Sequence, residues 1–154
     1  MILKNNNHVQ DEEERNEKVV RDLYEALISK DVEMAQRLLA RDLEWWFHGP
    51  PMHQRYLMAL LTSGNDDDCF VFVPEIQSIA SFGSLVIVEG FEKQHSVWWV
   101  HAWTVDENGI ITGIKEYLNT SVTVTQLMTN KYCHSVWQSM LSDNNSVPGL
   151  VLAL

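Results

Sequence analysis

Arginine is absent from the whole chain beyond Arg55, and cysteine is nearly absent, with only Cys69 and Cys133 among 154 residues. Lys and Arg together number 11 against 21 Asp and Glu, a net charge of -10. No basic face is therefore available to displace counterions from a phosphate backbone, which argues against nucleic acid as a partner. Two cysteines without a C-x-x-C pair support neither a disulfide framework nor a structural zinc site, and both are read as reduced thiols. The histidines, His8, His48, His53, His95, His101 and His134, show no metal-ligand spacing, so neither a metal nor a cofactor is expected. No stretch approaches the roughly 20 apolar residues that span a bilayer, and the first residues lack the apolar core of a secretory signal. The expectation is a protein of the cytoplasm, or of the nucleus as well, without a membrane partner.

What the chain does have is a hydrophobic fraction of 45% and six tryptophans. Its length suits one domain that buries roughly 70% of the surface of the unfolded chain. Residues 1–15 are polar, with Asn5 to Asn7 and Asp11 to Glu14, and read as a disordered acidic segment. From Glu17 to Lys30, Val20, Leu23, Tyr24 and Leu27 recur at helical spacing, with Asn16 as N-cap. Asp31 caps a second helix, whose inward stripe is Val32, Ala35, Leu38 and Leu39 and which Arg41-Asp42 ends. Leu43 to His48 is aromatic and strand-like, and Gly49-Pro50-Pro51 stops it. A third helix is expected over 52–62, then strands over 70–82, 85–92, 96–105 and 110–124, with a bulge or an edge position at Pro74. The order predicts an α+β fold over 16–128. Residues 129–154 read as an extension docked on the domain or on a dimer partner, because the string from Val147 to Leu154 is too apolar for a free tail.

Five strings carry a resemblance. They are D-L-E-W-W-F-H-G-P-P from Asp42 to Pro51, V-E-G from Val88 to Gly90, W-V-H-A-W-T-V from Trp99 to Val105, K-E-Y-L-N-T-S from Lys115 to Ser121 and S-V-P-G-L-V-L-A-L from Ser146 to Leu154. Together they resemble the plant wound-induced and senescence-associated protein family, from about Glu17 to the last residue. That family is similar in fold to the nuclear transport factor two-like (SnoaL-like) superfamily. The resemblance therefore implies a cone-shaped, curved antiparallel sheet closed by three N-terminal helices, an internal pocket, and a role in the response to wounding or stress. It implies no reaction, because fold does not specify chemistry.

Register indicates which side chains line that pocket. With Asp106 to Gly109 as the hairpin turn, Val105 pairs with Ile110, Trp103 with Thr112, His101 with Ile114 and Trp99 with Glu116. One face then carries Trp99, His101, Trp103, Thr112, Ile114, Glu116 and Leu118. The other carries Trp98, Val100, Ala102, Lys115 and Tyr117, and Lys115 assigns that one to the outside. By analogy with related cones, Trp46 and His48 are placed inside, and Glu89 joins them. The expected ligand-binding set is Trp46, His48, Tyr56, Glu89, Trp99, His101, Trp103 and Glu116.

Aromatic walls with a few convergent polar groups suit a small molecule, although tryptophans at period two also serve as plain core. The first reading is an apolar or aromatic ligand bound without catalysis. A second is an isomerase, cyclase or dehydratase with His101 or His48 and Glu116 as an acid/base pair. The epoxide-hydrolase arrangement, an arginine between two aspartates on the strands, is nearly excluded because no arginine follows Arg55. A third is a homodimer or protein-interaction module using Trp98, Val100, Ala102, Lys115 and Tyr117 on the outer face.

Overall fold

A computed structural model describes residues 2–49, 61, 75–93, 97–118, 125–126, 136–138 and 151–153. Helix α1 (Ile2–Ser29) begins well before Asn16, so the stretch expected to be disordered is helical from Ile2 and Asn16 is not a cap. Tertiary contacts explain the difference. Glu13 Oε1 accepts from the Gly83 N–H at 3.0 Å, and Asn16, fully buried, donates its side-chain N–H to the Gly83 carbonyl at 3.0 Å. Arg15 donates to the carbonyls of Glu107 and Asp106 at 2.9 and 3.2 Å. Residues that look like solvated sequence thus bind the backbone of two hairpin turns, satisfying groups that strands leave open.

Lys30, in the left-handed region at φ 60°, breaks the helix, and Asp31 caps α2 (Val32–Leu38) by accepting from the Met34 N–H at 3.2 Å. The chain turns extended at Leu39 and enters β1 (Leu39–His48) without a loop, earlier than the expected start at Leu43. The remaining strands of the main sheet are β2 (Glu75–Phe82), β3 (Leu85–Glu92), β4 (Val97–Val105) and β5 (Ile111–Leu118), the expected stretch 119–124 of the last lying outside the described residues. Strand order is β1-β5-β4-β3-β2, with β1 parallel to β5 and the other pairs antiparallel. The result is an α+β fold with a curved, unclosed sheet. Of the expected third helix only Leu61 is described, helical and packed against the core; Tyr56, Pro74 and 70–74 lie outside the described residues.

A second, three-stranded sheet is formed by β6 (Thr125–Gln126), β7 (Val136–Gln138) and β8 (Val151–Ala153), with β8 in the middle. The apolar end of the chain is therefore hydrogen-bonded on both sides. No helix among the described residues is long and apolar enough to cross a membrane.

The core lies between α1 and the inner face of the main sheet. Val20, Leu23, Tyr24 and Leu27 meet Val86, Val88, Val97, Trp99, Trp103, Ile111, Ile114 and Leu118. Gly90 makes this possible: a Cβ there would overlap the Trp99 indole and the Glu75 carbonyl. A fully buried Trp99 thus lies flat across β3 only because the residue opposite has no side chain.

Candidate functional site

The β4–β5 register is displaced by two residues from the expected one: Trp103 pairs with Ile114, His101 with Glu116 and Trp99 with Leu118. The turn explains why. Asp106 Oδ1 accepts from the N–H groups of both Asn108 and Ile110, at 2.9 Å each, and the Asp106 N–H reaches the Ile110 carbonyl. Ile110 is held inside the turn, and a shift between Thr104 and Val105 takes up Thr112. A displacement of two preserves which face each side chain takes. Trp99, His101, Trp103, Ile114, Glu116 and Leu118 therefore share the inner face, and His101 and Glu116 stand directly opposite one another.

Two expected placements are corrected. Strand β1 sets Trp45 beside Ile114 and Phe47 beside Glu116, but Trp46 beside Lys115 and His48 beside Tyr117. Trp46 and His48 therefore lie on the outer face, where Trp46 stacks on His48 at 5.7 Å and meets Tyr117 at 5.4 Å. Trp45 and Phe47 take the inner face and pack against the core. Alternation alone could not choose between two sets that are both aromatic. Glu89 pairs with Val100 and is buried on the outer face, because β3 is enclosed on both sides and offers no alternation to read.

The outer residues Trp98, Val100, Ala102, Lys115 and Tyr117 share one face, yet Val100 and Tyr117 have no exposed surface and Ala102 has 2% within a single chain. Among the described residues of that face Trp46 is an exposed large apolar side chain, at 43%.

Inside, one hydrogen-bonded chain crosses from α1 to β5. The Trp103 indole N–H donates to Tyr24 Oη at 2.9 Å, Tyr24 Oη bonds to His101 Nδ1, and His101 Nε2 bonds to Glu116 Oε2 at 2.9 Å. Each of the four side chains is buried. The Tyr24 ring is nearly parallel to the His101 ring, 5.9 Å away, and edge-on to Trp103; Trp99 closes on His101 at 4.6 Å. Burial holds the Tyr24 phenol well above its usual range; the Trp103 N–H works against this and the Glu116 charge adds to it. Tyr24 is thus an undissociated hydroxyl at ordinary pH.

One atom of the chain is left over. Among the described residues Glu116 Oε1 is buried without a hydrogen-bond partner, and so is Trp45 Nε1, the cross-strand neighbour of Ile114 on the same face. An acceptor and a donor, one diagonal step apart on β5 and β1, can together take a ligand group that both gives and accepts a hydrogen bond. Among the described residues no group of three or more His, Cys, Asp or Glu could hold a metal ion.

Sequence reasoning missed Tyr24 and Trp45. Tyr24 carried a signal, a hydroxyl in an otherwise aliphatic inward stripe of α1. Trp45 carried none that Trp46 did not share.

A solved NTF2-like protein of unknown function from Burkholderia pseudomallei superposes with a TM-score of 0.51 at 19% identity, over 66% of this chain and 88% of that one, which shows the shared fold. Closer in sequence are the wound-induced protein 1 of Solanum tuberosum, 46% identical over 102 residues (60% of this chain, 94% of the relative), and senescence associated gene 20 of Arabidopsis thaliana, 44% identical over 113 residues (63% of this chain, 100% of the relative). Residues 58–154, which hold three of the four linked side chains, match the family described as wound-induced protein WI12, and to that family this chain belongs.

Proposed function

We propose that this protein serves the wounding and senescence response for which its relatives are named, by holding a small apolar or aromatic molecule at the inner face of its sheet without reacting with it. The observation that carries this reading is the buried, unpartnered Glu116 Oε1 at the end of an otherwise satisfied chain. Native proteins pair nearly all buried polar atoms, and one left open costs about 1 to 3 kcal/mol. A ligand donor at that atom removes the cost.

Binding is favoured over catalysis by the same geometry. Both nitrogens of His101 are engaged, by Tyr24 and by Glu116, so neither is free to exchange a proton with a ligand. His48, the other candidate base, lies on the opposite face. What remains is one carboxylate oxygen, suited to orienting a donor. Tyr24, Trp99, His101, Trp103 and Glu116 are all buried, so a ligand held there should leave slowly.

Native mass spectrometry of protein purified from its own tissue tests this directly. The expected result is a stoichiometric extra mass that survives mild purification and is depleted in Glu116→Gln. A bare polypeptide mass in repeated preparations would contradict it. Turnover of a candidate substrate that vanishes in Glu116→Gln would favour the enzyme instead.

Self-association through the outer face is a second proposal, favoured by the exposed Trp46 beside Tyr117. Sedimentation at tens of micromolar concentration checks it, a strict monomer being the contrary result.

A further inference from the structure

We infer that the ligand of the inner face is an organic cation, a protonated amine on an aromatic body with a neighbouring oxygen. The inference rests on the reading of that face as a ligand site and adds the ligand's charge.

Hydrogen-bond accounting leads to it. A tyrosine hydroxyl has one proton to give and two lone pairs; the Trp103 indole N–H can only donate. Tyr24 Oη therefore accepts from Trp103, and its own proton needs an acceptor. The remaining partner of that oxygen is His101 Nδ1, which must then present a lone pair. The ring proton sits on Nε2 and is donated to Glu116 Oε2. The imidazole so fixed is neutral. An imidazolium would put protons on both nitrogens, and the Tyr24 proton would have nowhere to go.

Two consequences follow for Glu116. Its Oε2 accepts from His101, a cationic donor at Oε1 would make both oxygens acceptors, which is the ionised form, and the neutral histidine beside it carries no charge that would balance that form. Among the described residues the buried ionisable groups are Tyr24, Glu89, Glu92, His101, Glu116 and Tyr117, with no buried lysine or arginine. An uncompensated buried carboxylate is costly, and a ligand cation at Oε1 supplies the missing charge and the missing donor in one contact.

The aromatic residues around the chain suit the same ligand. Tyr24, Trp99 and Trp103 surround His101, and Phe47 stands beside Glu116 on β1. Aromatic faces attract ammonium groups through the ring quadrupole, most strongly where water is excluded. The unpartnered Trp45 N–H, diagonal to Glu116, calls for an acceptor oxygen near the amine.

Three probes on one skeleton separate charge from shape: phenylethanolamine (cation), phenylethylene glycol (neutral) and mandelate (anion). Each is titrated calorimetrically into the full-length protein after removal of any retained ligand. Phenylethanolamine is expected to bind at least about tenfold more tightly than the glycol, with mandelate weakest, and that preference should collapse in Glu116→Gln. Glycol or mandelate binding as tightly as the amine overturns the inference, as does an amine preference that survives Glu116→Gln. Should that variant fail to fold, the wild-type ranking still decides. Binding of none of the three also overturns the cation assignment, whereas the reading of the inner face as a ligand site stands or falls separately with the retained mass.

Discussion

The two faces of the main sheet both carry buried aromatic side chains, yet they are organised differently. On the outer face Val100, Ala102, Ile87 and Tyr117 are enclosed, and Trp46 and His48 stack at its margin with nearly half of Trp46 exposed. On the inner face Trp99 and Trp103 have no exposed surface, and a helix hydroxyl ties Trp103 to a histidine and a carboxylate. The lesson is that burial alone does not mark a site. What distinguishes the inner face is a polar chain in which each member has one consistent role until the last oxygen, where the partner is missing.

The largest expected effect is on packing. Trp103→Ala removes a fully buried indole and the first donor of the chain, and should cost about 3 to 5 kcal/mol, lowering Tm by roughly 10 °C. Thermal and urea denaturation measure it. A cost for Trp46→Ala as large as that for Trp103→Ala would erase the distinction between the faces.

Next comes the link from the helix. Tyr24→Phe keeps the ring but strands the Trp103 N–H and His101 Nδ1, so a loss of about 1 to 3 kcal/mol is expected for each group left unsatisfied. The same residue gives a pH signature. Burial raises the folded phenol above its unfolded value of about 10, so the native state holds the proton more tightly than the unfolded chain does. The stability this provides is fully present below about pH 10 and is lost as pH rises toward the higher folded value. Urea titrations on the alkaline side should show a steeper decline for the wild type than for Tyr24→Phe; equal slopes would contradict the buried, undissociated phenol.

Smaller effects belong to the periphery. Arg15→Ala removes two donors to the β4–β5 turn and should cost about 1 kcal/mol or less, with faster hydrogen exchange in the first half of α1. Trp46→Ala should cost less than about 1 kcal/mol, since much of that ring is already in water.

How much of this was legible in the sequence depends on the kind of signal. The strands from Val97 to Leu118 were readable because alternation and turn residues agree there, and a register wrong by two still put His101, Trp103 and Glu116 on the right face. The run before Asn16 was misread because its partners are turn carbonyls and amides about 70 to 90 residues away, which no local pattern reports. Trp46 was preferred to Trp45 by analogy with related cones, since two adjacent tryptophans give alternation nothing to choose between, and the parallel pairing with β5 that decides is non-local. Tyr24 was visible as a core position but not as a site residue: its role exists only where α1 crosses β4.

The charge of the inner face is the central claim, and the protonation of one imidazole tests it most directly. Imidazole nitrogen NMR of uniformly labelled protein, with His101 assigned by comparison with His101→Gln, reports each ring nitrogen separately. A neutral ring with the proton on Nε2 and a bare Nδ1 is the result the hydrogen-bond chain predicts, leaving Glu116 to be balanced by a ligand. A doubly protonated His101, or a proton on Nδ1 alone, would mean that the chain runs the other way and that the site has no need of a cation.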